Sequence, residues 1–224
     1  MKYRYVLFDA DETLFRFDIR AGLVHLFKQY KIPFTQADFN HYQLSNKQLW
    51  IDYQNGLIDA EFLQVKRFTH WSEKLNIPAK VLNDQFLDAM GTICKPLPGA
   101  VAMLTALKKH AKLGIVTNGF ARMQEIRLRH TKLDHMFDWL VISEVVGVAK
   151  PNIAIFEHTM ALMGNPPKNE ILMVGDNAAS DIIGGRNAGI DTCWLQHPGE
   201  QLPADVNPTH KITDLTQLAS LLGA

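Results

Sequence analysis

Tyr5-Val6-Leu7-Phe8-Asp9-Ala10-Asp11-Glu12-Thr13 is the stretch that decides the fold of this chain. Four consecutive apolar residues read as a strand buried on both faces. That strand runs straight into two carboxylates, Asp9 and Asp11, in one tight turn. Ligands of open parallel sheets bind beyond the carboxyl ends of the strands, which is where these acids fall. Paired carboxylates repel one another unless they share a cation or a proton, so their placement together asks for a chemical reason. Working outward, similar apolar runs recur at Lys112–Thr117, Trp139–Ser143 and Ile171–Gly175, with a weaker one at Thr192–Leu195. Helical patterns at Ala100–Lys109, Asn152–Met163 and Ala178–Ala188 separate them. Strands alternating with helices predict an α/β fold built on a Rossmann-like parallel sheet.

The first connection breaks this alternation. Between Phe15 and Pro96 there is only helical patterning, with Ile19, Leu23, Leu26, Phe27 and Tyr30 on one face. Thr35-Gln36-Ala37-Asp38 reads as a capping box, with Phe34 and Phe39 as its hydrophobic staple. Asn55-Gly56 ends that helix, Asp59 caps another, and Pro78 opens a fourth. Lys95-Pro96-Leu97-Pro98-Gly99 then reads as a hinge leading back to the sheet. The expected organisation is a core made of residues 1–15 and 96–224, carrying an all-helical insert over residues 16–95.

Composition narrows the classes. The 224 residues hold 23 Lys+Arg and 23 Asp+Glu, and 47% are hydrophobic, the balance of an ordinary globular protein. Zero net charge argues against nucleic acid as a partner, since phosphate backbones are held by a basic excess. The apolar run before Asp9 is too short for a secretion signal or a membrane span, so a cytoplasmic protein without a membrane partner is expected. Cys94 and Cys193 form no metal or disulfide pattern and read as buried thiols. The histidines show no paired-ligand spacing, and no GxGxxG follows the first strand, which disfavours a nicotinamide enzyme.

The other strand ends add chemistry to Asp9 and Asp11. Thr117-Asn118-Gly119 offers a hydroxyl and an amide to an anion. Gly175-Asp176, with Asp181 five residues further on, lies at a helix mouth where close backbone approach and a partial positive charge coincide. Lys150, before Pro151-Asn152, stands where a loop can turn its ammonium inward. Taken singly, each has an ordinary explanation: a turn hydroxyl, a solvated lysine, a helix-capping Asp. Their joint appearance at the strand ends is what points to a site. Asp9, Asp11 and Asp176 make an all-oxygen, multiply negative set that suits Mg²⁺, with Mn²⁺ as an alternative. Lys150, Thr117 and the cation would supply the positive potential that phosphoryl transfer needs.

These segments, DADET, TNG, the Lys-Pro of VAKPN and GDNAASD, resemble the four motifs of the haloacid dehalogenase superfamily. The helical insert resembles its C1-type cap. More narrowly, DADETLF, LWIDYQNG, CKPLPGAV, VTNGF, VISEVVGVAKPN and LMVGDN resemble bacterial pyrimidine nucleotide 5′-nucleotidases over nearly the whole chain. The resemblance implies a Mg²⁺-dependent phosphatase acting on a small phosphate ester, a nucleoside monophosphate. It implies Asp9 as the nucleophile that forms an aspartyl-phosphate and Asp11 as the acid and then the base. It further implies Thr117 and Asn118 as phosphate binders and Lys150 as the neutralising cation. Asp9, the Asp11 carbonyl and Asp176 would be the metal ligands, with Asp181 in support. Asn177 stands where relatives often carry Thr or Ser.

Within the family, an acid two residues after the nucleophile points to ester hydrolysis or mutase chemistry rather than dehalogenation. A sugar-phosphate or phosphoglycolate phosphatase and a phosphomutase remain alternatives, as does a non-catalytic phosphate-binding module. The cap would close over the site and read the leaving group, with Phe15, Phe17, Asn46, Lys47 and Trp50 as candidates. A monomer is expected, because a cap inserted in the first connection shields a site without a partner subunit.

Overall fold

The run Tyr5–Phe8 forms strand β1 at the centre of a six-stranded sheet. The computed structural model describes residues 2–223. The strands that follow are β2 (Lys112–Thr117), β3 (Trp139–Ile142), β4 (Ile171–Gly175), β5 (Asp191–Leu195) and β6 (His210–Ile212). Their spatial order is β3-β2-β1-β4-β5-β6, and every pairing is parallel. Phe8 lies opposite Ile115 on one side and Val174 on the other, so β1, β2 and β4 end at nearly the same level. That register explains the unbroken apolar runs: Val6, Leu7, Phe8, Leu172, Met173 and Val174 are essentially without solvent exposure. Chain direction across the sheet reverses between β1 and β4, the crevice where such sheets bind ligands.

Strand β6 has no counterpart among the expected strands. It is three residues long, carries the polar sequence His-Lys-Ile, and sits at the sheet edge, where a short strand needs no two-sided apolar pattern.

The helices are α1 (Ile19–Gln29), α2 (Gln36–Gln54), α3 (Ala60–Lys66), α4 (Thr69–Leu75), α5 (Ala79–Ile93), α6 (Ala100–Leu107), α7 (Ala121–Thr131), α8 (Ser143–Val146), α9 (Ile153–Leu162), α10 (Gly184–Ala188) and α11 (Thr216–Leu222). Among the described residues none is long and apolar enough to cross a membrane.

Contacts within the chain divide it into two compact units. One comprises Met1–Arg16, Lys95–Gly119 and Thr131–Ala224 and holds the sheet; the other comprises Phe17–Cys94 and Phe120–His130. The second unit therefore takes in most of α7 as well as the helices of the first connection. It is all-helical, and its core gathers Leu23, Leu26, Phe27, Leu63, Phe68, Trp71, Leu82 and Phe86. Helix α2 starts with the capping box read from the sequence, Thr35 and Asp38 each bonding the other's backbone N–H. Phe34, just before the cap, stacks on Phe27, with centroids 5.0 Å apart and planes 2° from parallel, and also meets Trp71. Asp59 caps α3, and Pro78 precedes α5 as its cap residue rather than its first helical one. Helix α4 comes as an extra short helix, so Pro78 opens the fifth helix of this stretch. Helices α1 and α5 approach closely at Gly22, where any Cβ would collide with the Met90 sulfur. Both cysteines are free and buried.

Candidate active site

The site begins where β1 ends. The Asp9 N–H donates to the Val174 carbonyl at 2.9 Å, carrying the β1–β4 ladder one residue past the strand. The chain then folds tightly on itself: the Leu14 and Phe15 N–H groups both reach the Ala10 carbonyl at 3.0 Å, and Glu12 N–H reaches the Phe15 carbonyl at 2.8 Å. Glu12 takes a left-handed backbone, φ 55°, an unusual conformation for a non-glycine residue that neighbouring contacts must hold. Two such contacts are in place. The imidazole Nε2 of His197 stands 2.7 Å from the Glu12 carbonyl. The Thr13 hydroxyl donates to Asp176 Oδ1 at 2.9 Å and accepts from the Asp176 N–H at 3.1 Å. Asp11, half-buried, lies inside this turn and bridges to Phe15.

The second strand end is equally constrained. After β4 comes Gly175, where a Cβ would collide with the Asp181 carboxylate, so only glycine lets that acid fold back onto the strand. Asn177 caps the turn that follows, its side chain accepting from the Ala179 and Ser180 N–H groups at 3.0 Å. Residues Ala178–Ile183 form a π-helical turn, an irregularity frequent at functional sites. It carries Asp181, fully buried, toward Lys150. Asp181 also accepts from Ser180 Oγ at 3.0 Å and from the Asn177 N–H at 3.1 Å. The Trp194 indole N–H donates to the Asp176 carbonyl at 2.6 Å and ties β5 to the same loop.

Lys150 is the electrostatic centre. Only 1% exposed, it places Nζ 2.6 Å from Asp9 Oδ1 and 2.7 Å from Asp181 Oδ1. Burial alone would lower its ammonium, but the charges and hydrogen bonds of Asp181 and Asp9 override that and raise it, so the lysine stays charged. Its backbone is held by the Asn118 amide, which accepts from the Lys150 N–H at 2.8 Å and donates to its carbonyl at 2.9 Å. The Asn118 side chain is thereby committed to the Lys150 loop. Thr117, buried at the end of β2, accepts at Oγ1 from the Gly119 N–H at 3.0 Å. Its hydroxyl proton is left to point to another acceptor.

Asp9, Asp176 and Asp181 each present a carboxylate oxygen within 4.8 Å of the others. One lysine cannot balance three acids. Burial first, then the charges of Asp9 and Asp181, push Asp176 up to about 8. Burial raises Asp181 to about 6, with Lys150 opposing the shift and Asp9 adding to it. A crowded, partly desolvated, all-oxygen group of this kind fits a divalent cation of the Mg²⁺ class, which would relieve the mutual repulsion.

The fold thus brings Asp9, Lys150, Asp176 and Asp181 into direct or near contact, and sets Thr117 and Asn118 at the adjoining strand end. Thr13, His197, Trp194 and Ser180 also hold the site, and the sequence reading assigned them nothing. Thr13 sat within the DADET motif, and its hydroxyl between acids was an available signal. His197 and Trp194 gave none, because their partners are backbone carbonyls far away in sequence.

The chain matches the haloacid dehalogenase-like hydrolase family over residues 3–189. It is 50% identical to the pyrimidine 5′-nucleotidase YjjG of Escherichia coli over 222 residues, 99% of each chain. It is 29% identical over 229 residues to the pyrimidine 5′-nucleotidase PynA of Streptococcus pneumoniae, covering 99% of this chain and 96% of the other. Among solved structures, YfnB of Bacillus subtilis, named for the same hydrolases and crystallised with magnesium, superposes with a TM-score of 0.85 at 27% identity, with both chains fully covered.

Proposed function

This chain belongs to the haloacid dehalogenase-like hydrolases, and from that premise we propose that it hydrolyses pyrimidine nucleoside 5′-monophosphates through a phosphorylated Asp9. The observation that carries the reading is the buried Lys150 ammonium shared between Asp9 and Asp181 beside a third carboxylate. Such an arrangement places a positive charge beside Asp9 and lowers the repulsion between it and a phosphate dianion.

In this mechanism Asp9 attacks phosphorus in line with the ester oxygen. Asp11, two residues on in the same turn, protonates the departing nucleoside oxygen, then deprotonates the water that cleaves the aspartyl-phosphate. Thr117 donates its hydroxyl proton to a phosphoryl oxygen, while its lone pair stays engaged by the Gly119 N–H. Lys150 balances charge on Asp9 and on the transferring group. Asn118 acts by fixing the Lys150 backbone, so its contribution to phosphate binding is indirect. A Mg²⁺ ion would be held by Asp9, Asp176 and the Asp11 carbonyl, with Asp181 in support. When bound it supplies the positive charge that the three clustered acids lack. Asp181 orients Lys150 and receives the Ser180 hydroxyl, which fixes its own rotamer.

The nucleotide part of the reading draws on the two nucleotidase relatives. Its test is a hydrolysis screen with Mg²⁺ over nucleoside monophosphates, sugar phosphates and phosphoglycolate. Pyrimidine monophosphates are expected to give the highest kcat/KM. Preference for purine nucleotides or small phospho-acids would overturn the pyrimidine assignment and leave the phosphatase assignment standing.

A further inference from the structure

The end of the sheet opposite Asp9 gathers positive charge. Arg4 immediately precedes β1, and Lys108, Lys109 and His110 lie in the turn that leads from α6 to Lys112, the first residue of β2. The Lys112 N–H donates to the Arg4 carbonyl at 2.9 Å and Tyr5 pairs with Lys112 in register, so the two segments start the sheet side by side. They enclose a cavity of about 270 Å³ lined by Arg4, Lys108, Lys109, His110 and Lys112, and by no acidic residue. In a chain whose charges sum to zero, four cations and a histidine around one hollow are a local excess.

Only part of that charge is compensated. Lys108 Nζ lies 2.7 Å from Asp138 Oδ2, which also accepts from the Leu113 N–H at 2.9 Å. Arg4, 73% exposed, has Nε 4.0 Å from Glu170, the far limit of an ion pair. Lys109 and Lys112 make no ion pair among the described residues, and Lys112 Nζ stands 5.6 Å from the centroid of the Trp139 ring. The C-terminus of α6 favours cations beside it, which accounts for Lys108 and Lys109. It does not account for Arg4 and Lys112, which the strands supply. The carbonyls of Leu104, Ala106 and Leu107 are engaged by N–H groups of residues 108–111, so side chains rather than open carbonyls set the charge of the hollow.

Converging cations in a concave surface concentrate an anion that carries several charges. The neighbouring acids limit its length. Asp138 precedes β3 and Glu170 precedes β4, the strands that flank β2 and β1, so an extended polyanion would meet a carboxylate on either side. A short phosphate chain fits between them. The hollow is also separate from the acid cluster: Arg4 and Asp9 bracket β1, and five residues of extended chain at about 3.3 Å each put them about 16 Å apart.

We propose that this hollow is a second anion site that takes a short polyphosphate chain, free or carried by a nucleoside triphosphate, with Arg4, Lys109 and Lys112 as its charged contacts and His110 as a further N–H donor. The proposal is independent of the nucleotidase reading, since none of these residues belongs to the acid cluster or its loops.

The test is isothermal titration calorimetry of the whole chain with orthophosphate, tripolyphosphate and uridine 5′-triphosphate at equal ionic strength, with chelator present so that no metal complex forms. Tripolyphosphate is expected to bind with one-to-one stoichiometry, at least about tenfold tighter than orthophosphate, and more weakly as chloride is raised. Lys109→Gln combined with Lys112→Gln should weaken it by about tenfold or more while circular dichroism and Mg²⁺-dependent phosphatase activity stay at wild-type levels. Removing the same charge from the exposed Lys28 and Lys66 of the helical unit, as Lys28→Gln with Lys66→Gln, should leave the affinity unchanged. Nucleotide binding much tighter than tripolyphosphate would identify the nucleoside triphosphate as the source, and equal binding the bare chain. Tripolyphosphate that binds no better than orthophosphate, or equally well after Lys109 and Lys112 are replaced, would overturn the proposal. So would an equal loss in the Lys28 and Lys66 control, which would trace the effect to net charge.

Discussion

His197 holds the Glu12 carbonyl at 2.7 Å across 185 residues of chain, and so pins the one left-handed residue in the turn that carries Asp9 and Asp11. A carbonyl can only accept, so this contact fixes the imidazole with its proton on Nε2. The left-handed conformation costs free energy, and His197 is one of the contacts that hold it. Loss of the imidazole should loosen the acid–nucleophile spacing more than substrate affinity. His197→Ala is therefore expected to lower kcat about tenfold with KM changed less than about twofold, a loss worth about 1.4 kcal/mol. Steady-state kinetics on the preferred nucleotide checks this. A change confined to KM would contradict a positioning role.

Asp9→Asn should abolish turnover by at least about a thousandfold, since an amide is a poor nucleophile toward phosphorus. The fold should persist, because Asp9 N–H still completes the β1–β4 ladder and Lys150 retains Asp181. Circular dichroism of the variant should match the wild type. Full activity in this variant would refute the nucleophile assignment.

Lys150→Met removes the shared cation and leaves two buried carboxylates facing one another. Breaking a buried ion pair from one side costs about 3–5 kcal/mol, and with Asp9 and Asp181 both partnered here the upper end is expected. Urea unfolding at neutral pH should show the lowered midpoint together with lost activity. Adding Asp181→Asn to this variant should recover part of the stability and none of the activity.

The raised Asp176 carboxyl makes a stability prediction with a definite sign. Its proton is held more tightly in the folded protein, where burial and neighbouring charge push the group up to about 8, than in the unfolded chain, where an ordinary aspartate titrates near 3.8. The associated stability is full below about pH 4 and is lost as pH rises through about 8; Asp181, raised to about 6, acts in the same sense over a narrower window. Metal-free protein should therefore melt lower at about pH 8.5 than at about pH 6. Asp176→Asn should flatten that dependence and raise the melting temperature of metal-free protein at the higher pH by on the order of 5 °C. Added Mg²⁺ should stabilise the wild type most at the higher pH and the variant little. Calorimetric melting curves with and without chelator separate these cases; equal stabilisation of both proteins by Mg²⁺ would exclude Asp176 as a ligand.

Much of the site was legible because its groups sit at the ends of strands that announce themselves. Val6–Phe8, Leu113–Thr117 and Ile171–Gly175 are buried on both faces, so each reads as an apolar run, and the residue that ends or follows each run is placed by the sheet. Asp9, Thr117 and Asp176 were found in that way. Lys150 and Asp181 do not end strands, and their motif spacing singled them out. Strand β6 escaped because an edge strand of three residues carries no two-sided pattern. Phe34 also meets Phe27 and Trp71, contacts that no local motif announces. Residues 120–130, expected in the core portion 96–224, group instead with the helical unit, because which surface a helix packs on is not written in its own residues.

The sequence by itself determined the parallel sheet, the helical interruption after its first strand, and which acids and hydroxyl fall at the strand ends. These follow from local pattern, which burial on both faces of a strand or on one face of a helix imposes residue by residue. Only the tertiary structure decided how those groups share charge: that Lys150 sits between Asp9 and Asp181, that Asn118 serves the Lys150 backbone, and that Thr13, Trp194 and His197 clamp the two loops that carry Asp9 and Asp176. Each of these is a pairing between segments far apart in the chain. Pairing energies depend on distance and burial, which arise only when the sheet has brought its strand ends together.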